Sequence, residues 1–213
     1  MSSLVSDSRA EGVTATDGGR DTAAAPEATR RRLSARQADT VERLTVAAVD
    51  GLREHSYDGL SVRNVAARAG VAPATAYTYF SSKDHLVAEV YWRRVQSLPT
   101  GIPDTSRTPA QRVAATLSEL ALIVADEPDL AAATTVALLS AEPDVKVLRD
   151  RIGATWHDRI VTALGDDARD DTVTVLDLAV SGALLQTGMG HLSYADLPDL
   201  LTQVATTVLE ASQ

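Results

Sequence analysis

The sequence predicts an all-α fold of about nine helices, and three observations carry the prediction. Apolar residues recur at intervals of three and four through most of residues 35–212. No segment shows the alternation with a period of two that a half-buried strand requires. The apolar stripes are divided by helix-opening pairs such as Thr108-Pro109 and Glu127-Pro128 and by stops such as Gly70 and Gly165. Proline at a first helical position loses no hydrogen bond, and glycine just past a last turn accepts a left-handed backbone.

Residues 1–34 precede the first stripe. They are rich in Ser, Thr, Ala, Gly and Asp without apolar periodicity, so a disordered arm is expected there. The arm ends in Arg30, Arg31 and Arg32, with Arg36 close behind. The first helix is expected over 35–55, with Val41, Leu44, Ala48 and Leu52 facing a core. Ser56-Tyr57-Asp58-Gly59 reads as a turn in which Gly59 takes the positive φ. Ser61 then caps a second helix whose inner face is Val62, Val65, Ala66 and Ala69. Gly70 ends it, and Pro73 opens a short third helix carrying Thr75, Tyr77, Thr78 and Tyr79. Two short helices about a glycine turn, the second of them polar, form a helix-turn-helix, whose second helix enters the DNA major groove. A fourth helix over 82–98 carries Leu86, Val87, Val90, Tyr91 and Val95, and Pro99, Gly101 and Pro103 break the chain after it.

The run SVRNVAARAGV, the block TAYTYF and the pair Ser82-Lys83 before Leu86 together resemble the DNA-binding signature of the tetracycline-repressor (TetR) family of transcription regulators. The resemblance covers about residues 40–95. It implies that Thr75, Tyr77 and Tyr79 face DNA, Tyr79 toward a phosphate. Lys83 can neutralise a phosphate beside the free amides at its helix start. Ala74 suits a thymine methyl, Thr78 a base edge or phosphate, and Ser61 and Arg63 the backbone or groove. Arg31 and Arg32 either reach DNA, as such arms do in the family, or end a solvated linker. One departure stands out: PATAYTYF contains no Arg, Lys, Asn or Gln. Bidentate base reading must then come from Arg63, Asn64 or the arginine arm, or DNA shape is read instead. Ala72 also stands where a capping Ser or Thr is common.

Net charge is −9, which at first opposes a nucleic-acid partner. Its distribution reverses that. Residues 30–96 hold eleven Lys and Arg against seven Asp and Glu, while residues 97–213 hold seven against seventeen. A basic head on an acidic body docks on DNA in one orientation. There is no cysteine, so disulfides, thiolate zinc sites and cysteine nucleophiles are excluded. No apolar run reaches bilayer length and the N-terminus lacks a signal-peptide core, so a cytoplasmic protein with no membrane partner is expected.

The body, residues 104–213, reads as five helices. The fifth has Val113, Leu117, Leu120 and Val124 inward, and the sixth opens at Glu127-Pro128. The seventh, over 143–164, carries Val145, Leu148, Ile152, Trp156 and Ile160. The eighth, over 171–191, is apolar nearly all round, as a helix buried on two sides must be. One side meets the core; the other, with Ala179, Gly182 and Ala183 permitting close approach, meets a second subunit. The ninth, over 196–212, has Leu197, Leu200, Leu201, Val204 and Val208 on one face. The family resemblance implies that the last two helices form the homodimer interface and that helices five to eight enclose an effector pocket. Trp156, His157, Gln186 and Met189 are the candidate ligand-binding residues, and a mostly apolar lining suits a small apolar effector. Each of them also reads singly as an ordinary core residue.

No catalytic constellation is present. His55, His85, His157 and His191 do not pair at metal-ligand spacing, and Gly188-Met189-Gly190 follows no strand. No cofactor is expected. The domain division is therefore an arm (1–34), a helix-turn-helix domain (35–98) and a ligand-binding and dimerisation domain (104–213). The function expected is a ligand-responsive DNA-binding regulator, a repressor released from a palindromic operator. The alternative is a helical ligand-sequestering protein whose degenerate helix-turn-helix has no operator.

Overall fold

A computed structural model of the chain describes residues 35–99 and 104–211. The expected arm, with Arg31 and Arg32, lies outside the described residues, as do Gly101 and Pro103. Among the described residues there are nine α-helices and no strand. They are α1 (Ala35–Gly59), α2 (Val62–Arg68), α3 (Pro73–Tyr79), α4 (Lys83–Ser97), α5 (Pro109–Ala121), α6 (Pro128–Leu138), α7 (Pro143–Leu164), α8 (Asp170–Gly188) and α9 (Leu197–Ala211).

Local chemistry sets most of these boundaries. Ser61 accepts from the Asn64 amide at 3.1 Å and caps α2. Gly70 follows with φ 64°, the left-handed turn between α2 and α3. Ala72 leaves α3 without a side-chain cap, and Pro73 opens it. Ser82 caps α4 through the His85 amide at 3.0 Å. Thr108 and Gln111 form a reciprocal capping box on α5, satisfying two amides that would otherwise lack partners. Pro128 and Pro143 stand at the starts of α6 and α7, and Gly165 (φ 65°) ends α7.

The turn expected over 56–59 lies inside α1 and differs from expectation. The positive φ belongs to Ser56 (55°), where the helical backbone is interrupted, and not to Gly59. Gly59 is needed for space: a Cβ on it would lie 2.9 Å from the Cβ of His55. The eighth helix also begins and ends earlier than its apolar run suggested, because Met189-Gly190 breaks it, with Gly190 at φ 77°.

Leu44, Leu52, Val65, Ala76, Phe80 and Leu86 close the core of the helix-turn-helix. That core continues into the body through α4. Its Val90, Tyr91 and Val95 are buried in the same cluster as Leu117, Leu130, Ile152 and Leu176. α4 packs against α1 on one side and α6 and α7 on the other, and α5 packs along α9.

Candidate nucleic-acid interface and ligand cavity

Only Ala76 of α3 is buried, so nearly the whole circumference of this seven-residue helix stands open. Ala74, Thr75, Tyr77 and Thr78 are exposed, Tyr77 by 52%. Tyr79 is half-buried and packs against the core with its ring. A helix this short has no stability of its own and is held by α2 and by Phe80 behind it. The Thr78 hydroxyl donates back to the Ala74 carbonyl at 3.1 Å. Ser61 is half-buried at the start of α2, its oxygen engaged in the cap. Arg63 and Asn64 are exposed on the first turn of α2, and no carboxylate among the described residues pairs with Arg63. Arg68, by contrast, is paired with Glu54.

Lys83 is held inward. Its Nζ donates to the Tyr57 carbonyl at 3.0 Å and lies 4.0 Å over the Tyr57 ring. The Tyr57 phenol in turn donates to Asp84. Burial, and then the neighbouring Asp84 carboxylate, pushes the Tyr57 phenol above its ordinary value. This trio ties the last turn of α1 to the start of α4. The sequence suggested only a core aromatic at Tyr57, since nothing local links residues 26 or 27 positions apart.

The start of α4 also meets the body. Ser81 donates to Asp144 at 2.7 Å, and Ser82 donates to Glu142 at 2.5 Å. His85 Nδ1 lies 3.2 Å from the Ser81 hydroxyl and 3.7 Å from Asp144. Deeper in, Arg94 grips Glu127 with two hydrogen bonds of 2.9 and 3.1 Å, and Arg53 of α1 reaches the same carboxylate at 3.4 Å. Glu127, at the N-terminus of α6, thus clamps α1 and α4 together.

In the body, a cavity of about 320 Å³ opens among α4, α6, α7 and α8. Leu138, Ile152, Leu184 and Leu185 give it apolar walls, with Tyr91, Trp156 and Tyr194 beside them. Of the four sequence candidates, Trp156 lines it. His157 is exposed and pairs with Asp177 at 2.9 Å in a neighbouring shallow opening. Gln186 bonds His191 at 2.9 Å on the surface, and Met189 is 50% exposed. The structure adds Arg149, a lining residue that no sequence pattern marked. Its Nη1 donates to the carbonyls of Leu138 and Ser140 at 2.7 and 3.1 Å, bracing the turn between α6 and α7.

α8 resolves into two faces. Leu176, Val180 and Ala183 are buried. Ala183 therefore serves the core and not the outer side where it was expected. Val175, Leu178, Leu185 and Met189 are exposed by 47, 69, 40 and 50%, with Gly182 open between them. Their spacing of three and four is that of a helix-pairing seam.

Among the described residues no cluster of His, Asp and Glu could hold a metal, and no helix is long and apolar enough to cross a membrane.

The sequence model of the family described as "Bacterial regulatory proteins, tetR family" matches residues 44–90. An uncharacterized HTH-type transcriptional regulator of Mycobacterium tuberculosis is 49% identical over 176 residues, 82% of each chain. The HTH-type transcriptional repressor KstR of Rhodococcus jostii is 30% identical over 111 residues, 52% of each chain. Among solved structures, a TetR transcriptional regulator from Rhodococcus sp. RHA1 superposes with a TM-score of 0.69 at 22% identity. That match covers 82% of this chain and 97% of that one. The regulator FadR of Bacillus subtilis, solved with stearoyl-CoA, gives 0.53 at 19% identity over 80% and 96%. At these identities the two structures share the fold with this chain.

Proposed function

The chain belongs to the tetR family of bacterial regulatory proteins, and from that premise we propose a ligand-responsive repressor that binds a palindromic operator as a homodimer and leaves it when a small apolar effector enters the body. The observation that carries the reading is the open α3. Thr75, Tyr77 and Thr78 protrude from a helix anchored by one buried residue, beside Arg63, which pairs with no carboxylate among the described residues. Hydroxyls and a lone cation suit phosphates and groove edges. Twofold symmetry would follow from pairing of the exposed α8 seam, and a symmetric dimer reads a symmetric site. Arg31 and Arg32 would add phosphate or minor-groove contacts from the arm.

Release requires that the effector favour one arrangement of head and body over the other. The cavity adjoins the means. Arg149 lines it and braces the α6–α7 turn, and the next residues of that turn lead to Glu142, which holds Ser82 at the start of α4. A ligand that moves Arg149 thereby acts on the head through Ser140, whose hydroxyl accepts from the Glu142 amide at 3.4 Å, and through the Glu142–Ser82 hydrogen bond.

Titration against genomic fragments at several salt concentrations tests the reading. A preferred fragment containing an inverted repeat, with affinity falling steeply as salt rises, is expected. Binding without sequence preference, or none at all, would favour a ligand-sequestering protein with a vestigial helix-turn-helix.

A further inference from the structure

The cavity has polar walls of one kind, and this bears on the head group of the effector; the inference rests on reading that cavity as the effector site. Among the described residues no Asp, Glu or His lines it. Arg149 is its one charged residue, and no carboxylate among the described residues pairs with it. The two carbonyls that Arg149 holds satisfy donors but leave its charge without a counter-ion, and a guanidinium does not shed its proton. Thr134 and Trp156 are 5 and 8% exposed, and the Thr134 hydroxyl and the Trp156 indole nitrogen have no hydrogen-bond partner among the described residues. Burial pushes the phenols of Tyr91 and Tyr194 above their ordinary value, so both remain protonated donors at neutral pH. Every polar side chain on this wall can donate, and none is anionic.

We propose that the effector is a single-headed amphipathic carboxylate, with its head on Arg149 and its hydrocarbon tail along Ile152, Leu184 and Leu185. A carboxylate supplies the missing charge and several acceptor lone pairs at once. A neutral ester or alcohol leaves the half-buried guanidinium without a counter-ion, and an unpaired charge grows more costly as a ligand excludes water from it. A coenzyme A thioester brings several phosphate charges to a site with one cation. The cavity, about 320 Å³, is at the small end of ligand pockets, which run from about 300 to 1,000 Å³.

Calorimetric titration of the full chain with decanoate, methyl decanoate and decanoyl-CoA at neutral pH tests this. Decanoate is expected to bind at least about tenfold more tightly than the ester, the size of one charge-assisted contact. The thioester is expected to bind no more tightly than the ester. Arg149→Met should abolish the preference for acid over ester. Because Arg149 also braces a turn, Arg149→Lys is the companion variant, and it should keep most of the preference. An ester that binds as well as the acid, or a thioester that binds better, overturns the proposal on the wild-type protein alone. So does an Arg149→Met chain that keeps the preference, or a wild type that binds none of the three. Operator release by some other molecule would then leave the regulator reading intact. Conversely, decanoate binding in a protein that grips no DNA would sink that reading and not this one.

Discussion

Tyr77 and Lys83 show how differently two residues of one motif are employed. Tyr77 is half-exposed, so Tyr77→Ala should lower operator affinity about tenfold while thermal melting stays nearly unchanged. Anisotropy with a labelled operator fragment reads the first and calorimetry the second. An unchanged affinity would displace the DNA face from α3. Lys83 sits on the Tyr57 ring and carbonyl, so its replacement should reach stability as well as binding. Tyr57 carries a pH signature. Its folded value lies above the unfolded value near 10, so the linked stability is complete below pH 10 and is lost as pH rises beyond it. Tyr57→Phe should therefore flatten the alkaline arm of a stability–pH curve measured by denaturant unfolding. An arm as steep as in wild type would mean that Tyr91 and Tyr194 carry it alone. Caps and turns such as Ser61, Gly70 and Thr108 were legible because each acts within four residues of itself. Lys83, Tyr57 and Arg149 were not, because their partners are set by the fold.

Helix boundaries agreed with the sequence wherever a proline or a capping hydroxyl marks them, as at α5, α6 and α7. α8 was legible as a helix but not in its faces. An almost wholly apolar helix has no polar side by which to tell core from interface, so Ala183 was assigned outward and proved to be buried. The exposed seam of Val175, Leu178, Leu185 and Met189 makes a direct prediction. Leu178→Asp places a charge at its most exposed position and should yield a monomer by light scattering at micromolar concentration. Operator affinity should fall at least about a hundredfold with it, since each half-site would bind alone. A Leu178→Asp dimer would place the twofold axis elsewhere.

For the molecule as a whole, the sequence conveyed the basic head, the acidic body and the helical class. The cavity was only partly legible, since Tyr91, Thr134, Arg149, Trp156 and Tyr194 converge from α4, α6, α7 and the segment before α9. No spacing rule joins residues so far apart. The contacts between head and body make the prediction proper to this scale. Glu142→Gln weakens the hold of α7 on Ser82 and should raise operator affinity by about three- to tenfold, as measured by anisotropy, while reducing the response to any effector. An unaltered affinity would mean that Ser82 plays no part in the exchange between states.

The serine pair at the start of α4 has one more consequence. A helix start with free amides and two hydroxyls attracts an anion, and here Asp144 and Glu142 already occupy those hydroxyls. Were an operator phosphate to dock at this helix start, it would exchange one anion for another, with the internal carboxylates as a tethered competitor that no dilution removes. Such a competitor would penalise every DNA sequence equally, so weak chance sites would fall below the threshold for binding while a site with strong contacts in both halves would still win.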